Sequence, residues 1–329
     1  MNLLVESAGF LTSVQDLGRV GSRSAGVSVG GALDYHAMRV ANALVGNEGE
    51  AAGLEVTLGT VRLRFADDRI VAWCGGECSV RIADAVALPP GHAGSVSSDV
   101  ELTITAPRSG SRAWLAISGG IHVPLVLGSR STDLRAGFGG HQGRTLRDGD
   151  RLPLGESSLS SIRRARVLGP EGVAPWTAPS DWVKTRRSDR FLRTIRGQHW
   201  EHFSPEAQAL FLGTSFRATT DSDRMGVRLD GPSLDRIKLG DLPSEAVAPG
   251  TIQVPPNGKP ILLLGDCQTI GGYPRIAHVI TVDLPLAAQL WPDDEVHFQE
   301  VSLAEAQDLI CQREKDFAWF RTGLSLRVR

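Results

Sequence analysis

The sequence predicts a mainly β protein, arranged as two β-barrel domains in tandem with a few short helices. Three observations carry that expectation. Alternating apolar and polar residues fill "TVRLRF" (60–65), "DVELTIT" (99–105) and "EVHFQ" (295–299), the pattern of strands with one buried face. Continuous apolar runs, "ILLL" (261–264) and "AHVITV" (277–282), suit strands covered on both sides. The 37 glycines and 18 prolines divide these runs into short pieces, as in barrels and sandwiches.

The helices are fewer and carry clear signals. In "LDYHAMRVANALVG" (33–46), Ala37, Met38, Ala41, Leu44 and Val45 share a face, Asp34 is an acid at the N-terminus, and Gly46 offers a C-cap. "SPEAQALFLG" (204–213) opens with Ser204 as N-cap and Pro205 at the first helical position. "SLAEAQDLICQREKDFAWFRTG" (302–323) opens with a Ser302/Glu305 capping box and is expected to stop at Gly323. Between about 155 and 190 periodicity fades and Ser, Pro and Gly accumulate, so the domain boundary is drawn there, giving domains 1–165 and 166–329.

Composition excludes several classes of function. At 329 residues, 41% hydrophobic, 22% charged and a net charge of −2, the chain has the profile of an ordinary globular protein. Its strongest basic cluster, "KTRR" (184–187), is too short for a nucleic-acid surface and is read as a solvated loop. No apolar run reaches the ~20 residues of a membrane span. The start, "MNLLVESAGF", lacks a secretory n-region, and the four cysteines are read as reduced thiols in the cytoplasm. Cys74 and Cys78 in "CGGEC" have no second pair, and Cys267 and Cys311 are isolated, so small thiols are favoured over a zinc site. The eight histidines show no H-x-x-x-H spacing, and no metal is expected. The P-loop pattern and the G-x-S-x-G elbow are both missing, and none of the four lysines is flanked by methionines as a biotin carrier would require.

The chemistry is expected in polar, glycine-rich loops at strand ends. In "LLLGDCQTIGGYPRIAHVITVDLP" (262–285), Asp266 emerges from an apolar strand, where a charge is costly unless paired. Gln268 and Thr269 follow. Gly271 and Gly272 are then expected to adopt positive φ and form an anion-holding concavity, and Tyr273-Pro274 a turn with a candidate cis bond. "TSVQDLGRVGSRSAGVSVGGALD" (12–34) adds Gln15, Asp16 and Arg19, and "DRMGVRLDG" (223–231) adds Arg224 and Arg228, with a salt bridge as the bland alternative. Ser244, Glu245 and Gln253 lie in 244–256, and Arg130 and Ser131 follow an apolar run in 118–140.

In these loops the chain resembles the biotin-dependent carboxyltransferase-type family. The motifs are "GFLTSVQDLGRVG", "VPLVLGSRSTDLRAGFGG", "GRTLRDGD", "DRMGVRLDG", "SEAVAPGTIQVPPNGKPILLLGDCQTIGGYPRIAHVI" and "DLPLAAQLWPDDEVHF", in order from about residue 3 to 300. The family includes the C-subunit of 5-oxoprolinase, a sporulation regulator that antagonises a kinase inhibitor, and the second subunit of allophanate hydrolase. Gly265, Cys267 and Ile270 depart from its usual alanine, arginine and threonine. The resemblance implies two cyclophilin-like β-barrels and a partner of kinase-inhibitor type (the B-subunit), with a lactam-utilisation protein (the A-subunit) completing the enzyme as a heteromeric complex. It further implies ATP-dependent opening of 5-oxo-L-proline to L-glutamate, with ATP held by this chain or shared with a partner. Two alternatives are carboxyl transfer from biotin, carried on another chain, to urea or an allophanate-type amide, and sequestration of a kinase inhibitor without chemistry.

All the catalytic readings require polarising a planar amide carbonyl, for which preorganised N–H donors and arginines are suited. Asp266, Gln268, Thr269, Arg224 and Asp16 are therefore the candidate catalytic residues. Gly271, Gly272, Tyr273, Arg19, Gln253 and Ser131 are the candidate substrate-binding residues. Arg224 and Arg19 are assigned to phosphate or carboxylate, Asp266 and Asp16 to an N–H or an arginine, and Tyr273 to the flat substrate.

Overall fold

The computed structural model describes residues 2–105, 110–170, 172–183, 191–238, 240 and 242–327; the "KTRR" cluster lies outside them. The chain is mainly β, with six α-helices among the described residues. It divides into two compact units. One comprises Met1–Arg19, Gly30–Arg186 and Asp316–Arg329, and the other Val20–Val29 and Arg187–Lys315.

The first unit contains two antiparallel sheets. The six-stranded sheet runs Arg151–Pro153, Asn2–Ala8, Val61–Phe65, Glu101–Ile104, Val80–Ile82, Val86–Ala87. The five-stranded sheet runs Leu11–Gln15, Gly53–Thr57, Arg112–Ile117, Arg69–Gly75, Ala93–Val96. Val61–Phe65 shows the expected alternation, with Val61, Leu63 and Phe65 buried and Arg62 exposed. Leu3, Val5, Leu54, Val56, Leu63, Trp73 and Leu115, drawn from both sheets, share one apolar core. Burying a side chain of this kind contributes about 1.5–3 kcal/mol before entropy is counted.

Arg69–Gly75 and Arg112–Ile117 are buried at every position because helix Tyr35–Val45 packs on both strands. The helix begins as its sequence predicts. Asp34 accepts the amide of Ala37 at 2.8 Å, and Gly46 closes it with φ +82°. Its last carbonyls are satisfied by a helix the sequence reading missed. "LSSIRRARVL" within the Ser-rich stretch folds as Leu159–Leu168, capped by Ser158. Ser158 Oγ donates to Gly46 O and Ser161 Oγ to Val45 O, both at 2.7 Å, and Arg164 Nη1 donates to Ala43 O and Leu44 O. A helix C-terminus leaves four carbonyls without intrahelical partners, and these side chains reach them. The serines that weakened the periodicity are those that make the contact.

The second unit is a closed barrel. Its strands run Phe191–Arg196, Arg275–Val279, Thr251–Gln253, Ile261–Leu263, Gly226–Asp230, Phe216–Ala218, Glu295–Glu300, and the last returns to the first by a parallel pairing. Phe211, from helix Pro205–Gly213, stacks on Phe298 with ring centres 4.6 Å apart, and Phe216 packs beside them. Ser204 caps that helix as expected, accepting the Ala207 amide at 3.1 Å. Asp283 forks onto Arg193 at 2.9 and 2.6 Å and also accepts the Arg193 amide, tying the loop after Arg275–Val279 to the barrel. The C-terminal helix begins after Ser302, which accepts the Glu305 amide at 3.1 Å. It does not stop at Gly323 but runs to Arg327, because that glycine keeps a helical conformation.

Candidate functional site

The polar loop after Ile261–Leu263 continues a ladder rather than leaving it. Leu264 N donates to Met225 O at 2.8 Å and Asp266 N to Arg224 O at 3.1 Å. That register sets the side chains of Arg224 and Asp266 together. Nε and Nη2 of the arginine reach the two carboxylate oxygens at 2.8 and 3.0 Å. With side-chain exposures of 13% and 7%, the pair is largely withdrawn from water. The charge that looked costly at the end of an apolar strand is met by a matched guanidinium fork.

Beyond it, Gln253 is 1% exposed, and its Oε1 accepts from Gln268 Nε2 at 3.3 Å. Short strand Ile270–Gly271 pairs with Glu245–Ala246. Arg275 fixes this small two-stranded sheet by donating to Ala246 O at 2.9 Å, to Gln198 Oε1 at 2.6 Å and to Glu245 Oε2. His199 accepts the Arg275 amide at 3.2 Å; burial, and then the charge of Arg275, hold its pKa below the usual value. Arg23, from the Val20–Val29 segment of this unit, donates to Val247 O.

Two adjoining cavities open on this face of the barrel. One, of about 250 Å³, is lined by Gln253, Gln268, Tyr273 and Met225 together with Asp221 and Arg228. The other, of about 510 Å³, shares Asp221, Arg228, Ile261 and Tyr273 with it and extends to Lys259. The 223–231 and 266–274 segments therefore wall one groove. Arg224 and Asp266 do not line it; they brace the loop that does.

Two backbone expectations are corrected. Neither Gly271 nor Gly272 has positive φ, so the pair does not form the expected concavity. Glycine at 271 leaves room for the groove amides: a Cβ there would lie 2.8 Å from Gln253 Nε2 and 3.4 Å from Gln268 Nε2, so those amides would have to shift. Tyr273-Pro274 is trans, like the other described peptide bonds. Tyr273 is half exposed, and Thr269 contributes its carbonyl to Val247 N at 3.1 Å.

Asp16, Arg19 and Ser131 form a separate cluster in the first unit. The Asp16 carboxylate accepts from Ser129 Oγ at 2.6 Å, from Gly18 N at 2.8 Å, and from Arg130 N and Ser131 Oγ. Ser131 Oγ also accepts the Asp16 amide at 2.9 Å. Arg19, 1% exposed, donates to Ser131 O and lies over the Phe138 ring at 4.6 Å. Gln15 Nε2 donates to Ser13 Oγ at 2.9 Å and to Thr132 O at 3.3 Å. Gly139, at φ +69°, lets the chain pass this cluster, since a Cβ would fall 2.2 Å from both Arg19 Nη2 and Ser131 O. The arrangement ties the end of strand Leu11–Gln15 and the residues after it to the 129–139 loop.

Asp221 and the bracing Arg275 were not singled out from the sequence; Arg228 was noted with Arg224 in a polar loop, with a salt bridge as the alternative, and was given no role. "DRMGVR" contains Arg224 and Arg228 and "GGYPRI" contains Arg275, yet nothing in one strand tells which arginine is paired. Of the cysteines, Cys74 and Cys267 are buried, Cys78 is half-buried and Cys311 is exposed. Burial pushes the Cys267 thiol up to about 11, Cys78 up to about 12, and Cys74 higher still. No described helix is long and apolar enough to cross a membrane.

The described residues define a mainly β protein whose second unit is a closed barrel with a polar groove lined by its strand-end loops. Residues 25–300 match the family described as carboxyltransferase domain, subdomain A and B, and the chain belongs to that family. It is 40% identical to the 5-oxoprolinase C-subunit of Escherichia coli (strain K12) over 92% of this chain and 93% of that one. The 5-oxoprolinase C-subunit of Haemophilus influenzae is 34% identical over 90% of each chain. Among solved structures, K. lactis urea amidolyase superposes with a TM-score of 0.86 at 29% identity, covering 96% of this chain and 20% of that one. Lachancea kluyveri urea amidolyase is 32% identical over 93% of this chain, which spans 17% of its length.

Proposed function

We propose that the protein is the C-subunit of a bacterial-type 5-oxoprolinase. It acts with a kinase-inhibitor-type partner and a lactam-utilisation partner to convert 5-oxo-L-proline to L-glutamate, coupled to ATP hydrolysis. One observation carries the reading: the match to the 5-oxoprolinase C-subunit runs over nearly the full length of both chains, whereas the chain corresponds to 17% of a urea amidolyase. The second unit's groove supplies compatible chemistry. Gln253 and Gln268 offer amide donors and acceptors to a lactam N–H and C=O, and the half-exposed Tyr273 ring packs on a flat five-membered ring. Donors fixed before the reaction stabilise negative charge as it develops on the carbonyl oxygen. Arg224 and Asp266 act as a positioning pair for this loop. ATP is held by this chain or shared with a partner; the sequence has no P-loop, so a nucleotide site on this chain would be of another kind.

The test is reconstitution. Co-purified with its kinase-inhibitor-type and lactam-utilisation partners, the protein should release glutamate in a manner dependent on both ATP and 5-oxo-L-proline. Gln253→Ala and Gln268→Ala should each lower kcat/KM at least about tenfold, the scale of one charge-stabilising hydrogen bond. Full activity without this chain, or in both variants, would refute the reading. The shared fold with urea amidolyase favours a second reading, carboxyl transfer from biotin on another chain to an amide. Inhibition of turnover by avidin would select it.

A further inference from the structure

Charge is not evenly compensated along the second unit's groove. Lys259 Nζ lies 2.8 Å from Asp230 Oδ1 and also donates to Gly231 O; this pairing holds the Asp230 carboxyl below its usual pKa. Arg224 is forked onto Asp266, and Arg275 reaches Glu245 and Gln198. Asp223 Oδ1 accepts the amides of Met225 and Gly226 at 2.7 and 3.2 Å. Two charged side chains differ from these. Arg228 and Asp221 both line both cavities, both are exposed, and neither charged group has a hydrogen bond or ion pair among the described residues. They do not pair with each other, since no N···O contact within 4.0 Å joins them. Their backbone is fixed all the same. Thr219 N donates to Arg228 O at 2.9 Å, Asp223 N to Gly226 O at 3.1 Å, and Arg228 N to Ser222 Oγ at 3.1 Å.

A cation and a carboxylate held on one hairpin, facing one groove and out of reach of each other, leave a gap that one ligand can bridge. A purely anionic ligand would satisfy Arg228 and be repelled by Asp221; a purely cationic ligand would do the reverse. We propose that the groove binds an α-amino acid as its zwitterion, Arg228 taking the carboxylate and Asp221 the ammonium, with the ligand's side chain against Tyr273 and the amides of Gln253 and Gln268. The choice of L-glutamate as that amino acid rests on the reading given above; the zwitterion does not. In the lactam, nitrogen is an uncharged amide. Hydrolysis of its C–N bond leaves the water oxygen on carbon as a carboxylate, while nitrogen gains protons and becomes an ammonium. Ring and opened product both offer Arg228 a carboxylate, and only the opened product adds the ammonium that Asp221 can take.

Calorimetric titration of the full chain at low salt tests this, with L-glutamate, L-aspartate and glycine against glutarate and 5-oxo-L-proline, which lack the ammonium. At least one amino acid should bind about tenfold more tightly than glutarate or 5-oxo-L-proline. Asp221→Asn should remove that advantage and leave glutarate unchanged, and Arg228→Ala should weaken amino acid and glutarate alike. Both side chains are exposed, so the variants should melt with the parent, which circular dichroism checks. Glutarate binding as tightly as every amino acid, an unchanged amino-acid affinity in Asp221→Asn, or no binding of any amino acid would each overturn the proposal. Glutamate release by the reconstituted complex is scored separately. Turnover without zwitterion selectivity sinks only this proposal; selectivity for an amino acid without turnover sinks only the 5-oxoprolinase reading.

Discussion

Arg224 and Asp266 are joined by two hydrogen bonds, 2.8 and 3.0 Å long, between residues 42 positions apart. The pair sits behind the groove wall and binds the turn before strand Gly226–Asp230 to the 264–274 loop. Breaking a largely buried ion pair from one side leaves an uncompensated charge and costs about 3–5 kcal/mol. Arg224→Ala and Asp266→Ala should each lose stability on that scale in urea unfolding, and turnover of the complex should fall with them. Arg224→Lys should rescue little, since an ammonium cannot span both carboxylate oxygens. Single variants as stable as the parent would show that the pair braces nothing.

Gly271→Ala should act on the groove rather than on the fold. Its backbone is ordinary strand, so alanine is tolerated there, but the new Cβ meets Gln253 Nε2 at 2.8 Å. Gln253 is buried and cannot swing into solvent without cost. The expected result is a rise in KM for the lactam in the reconstituted complex, with a melting temperature close to that of the parent. A kcat/KM equal to the parent's would show that the position of Gln253 is immaterial.

Gly139→Ala is expected to do the opposite. At φ +69°, with Arg19 Nη2 and Ser131 O each 2.2 Å from the added carbon, both backbone and space reject it. Overpacking combined with a left-handed backbone puts the loss at roughly 3 kcal/mol, read as a shift in urea midpoint. A shift indistinguishable from zero would mean that the loop rebuilds freely around Arg19.

Acid should weaken the first unit through Asp150. Its carboxylate accepts from Arg144 Nη1 and Nη2 at 2.7 and 2.9 Å and from Arg147 N at 2.8 Å, and the Arg144 guanidinium foremost holds its pKa at about 2. A carboxyl depressed in the folded state contributes its stability above its ordinary value, near 4. That contribution should fade as pH drops from about 4 to about 2. Asp150→Asn should be less stable at pH 7 and should show a shallower loss across that window. Parallel curves for parent and variant would exclude the linkage.

Thiol chemistry should single out one cysteine. With burial raising Cys78 to about 12 and Cys267 to about 11, neither carries appreciable thiolate at pH 8, and Cys74 carries less. A disulfide reagent should label the native protein once, at exposed Cys311, and Cys311→Ser should remove the fast phase. Fast labelling that persists in Cys311→Ser would point to opening of the core around Cys78 or Cys267.

Much of the fold was legible because its signals are local. Alternation in 60–65, the acid Asp34 at a helix start, the Ser204 cap and the Gly46 stop each concern a few consecutive residues, and each appears in the structure, Asp34 as a cap. Helix Leu159–Leu168 was not legible. It is held by Arg164 and by serines whose partners are carbonyls more than 100 positions away, and serine in isolation reads as a turn. The polar loops were visible as loops, and the motifs within them placed the family. Their internal geometry was not visible: Gly271 matters for its missing side chain, not for its φ.

The sequence by itself determined the β-rich class, the helix caps, the family, and which loops carry polar chemistry, because periodicity and capping are properties of neighbours along the chain. Only the tertiary structure decided which charges are compensated. It paired Arg224 with Asp266, Arg275 with Glu245 and Lys259 with Asp230, and left Arg228 and Asp221 facing the groove. Ion pairing depends on a few ångströms between distant strands, and the barrel register that sets those distances is closed only when every strand is in place.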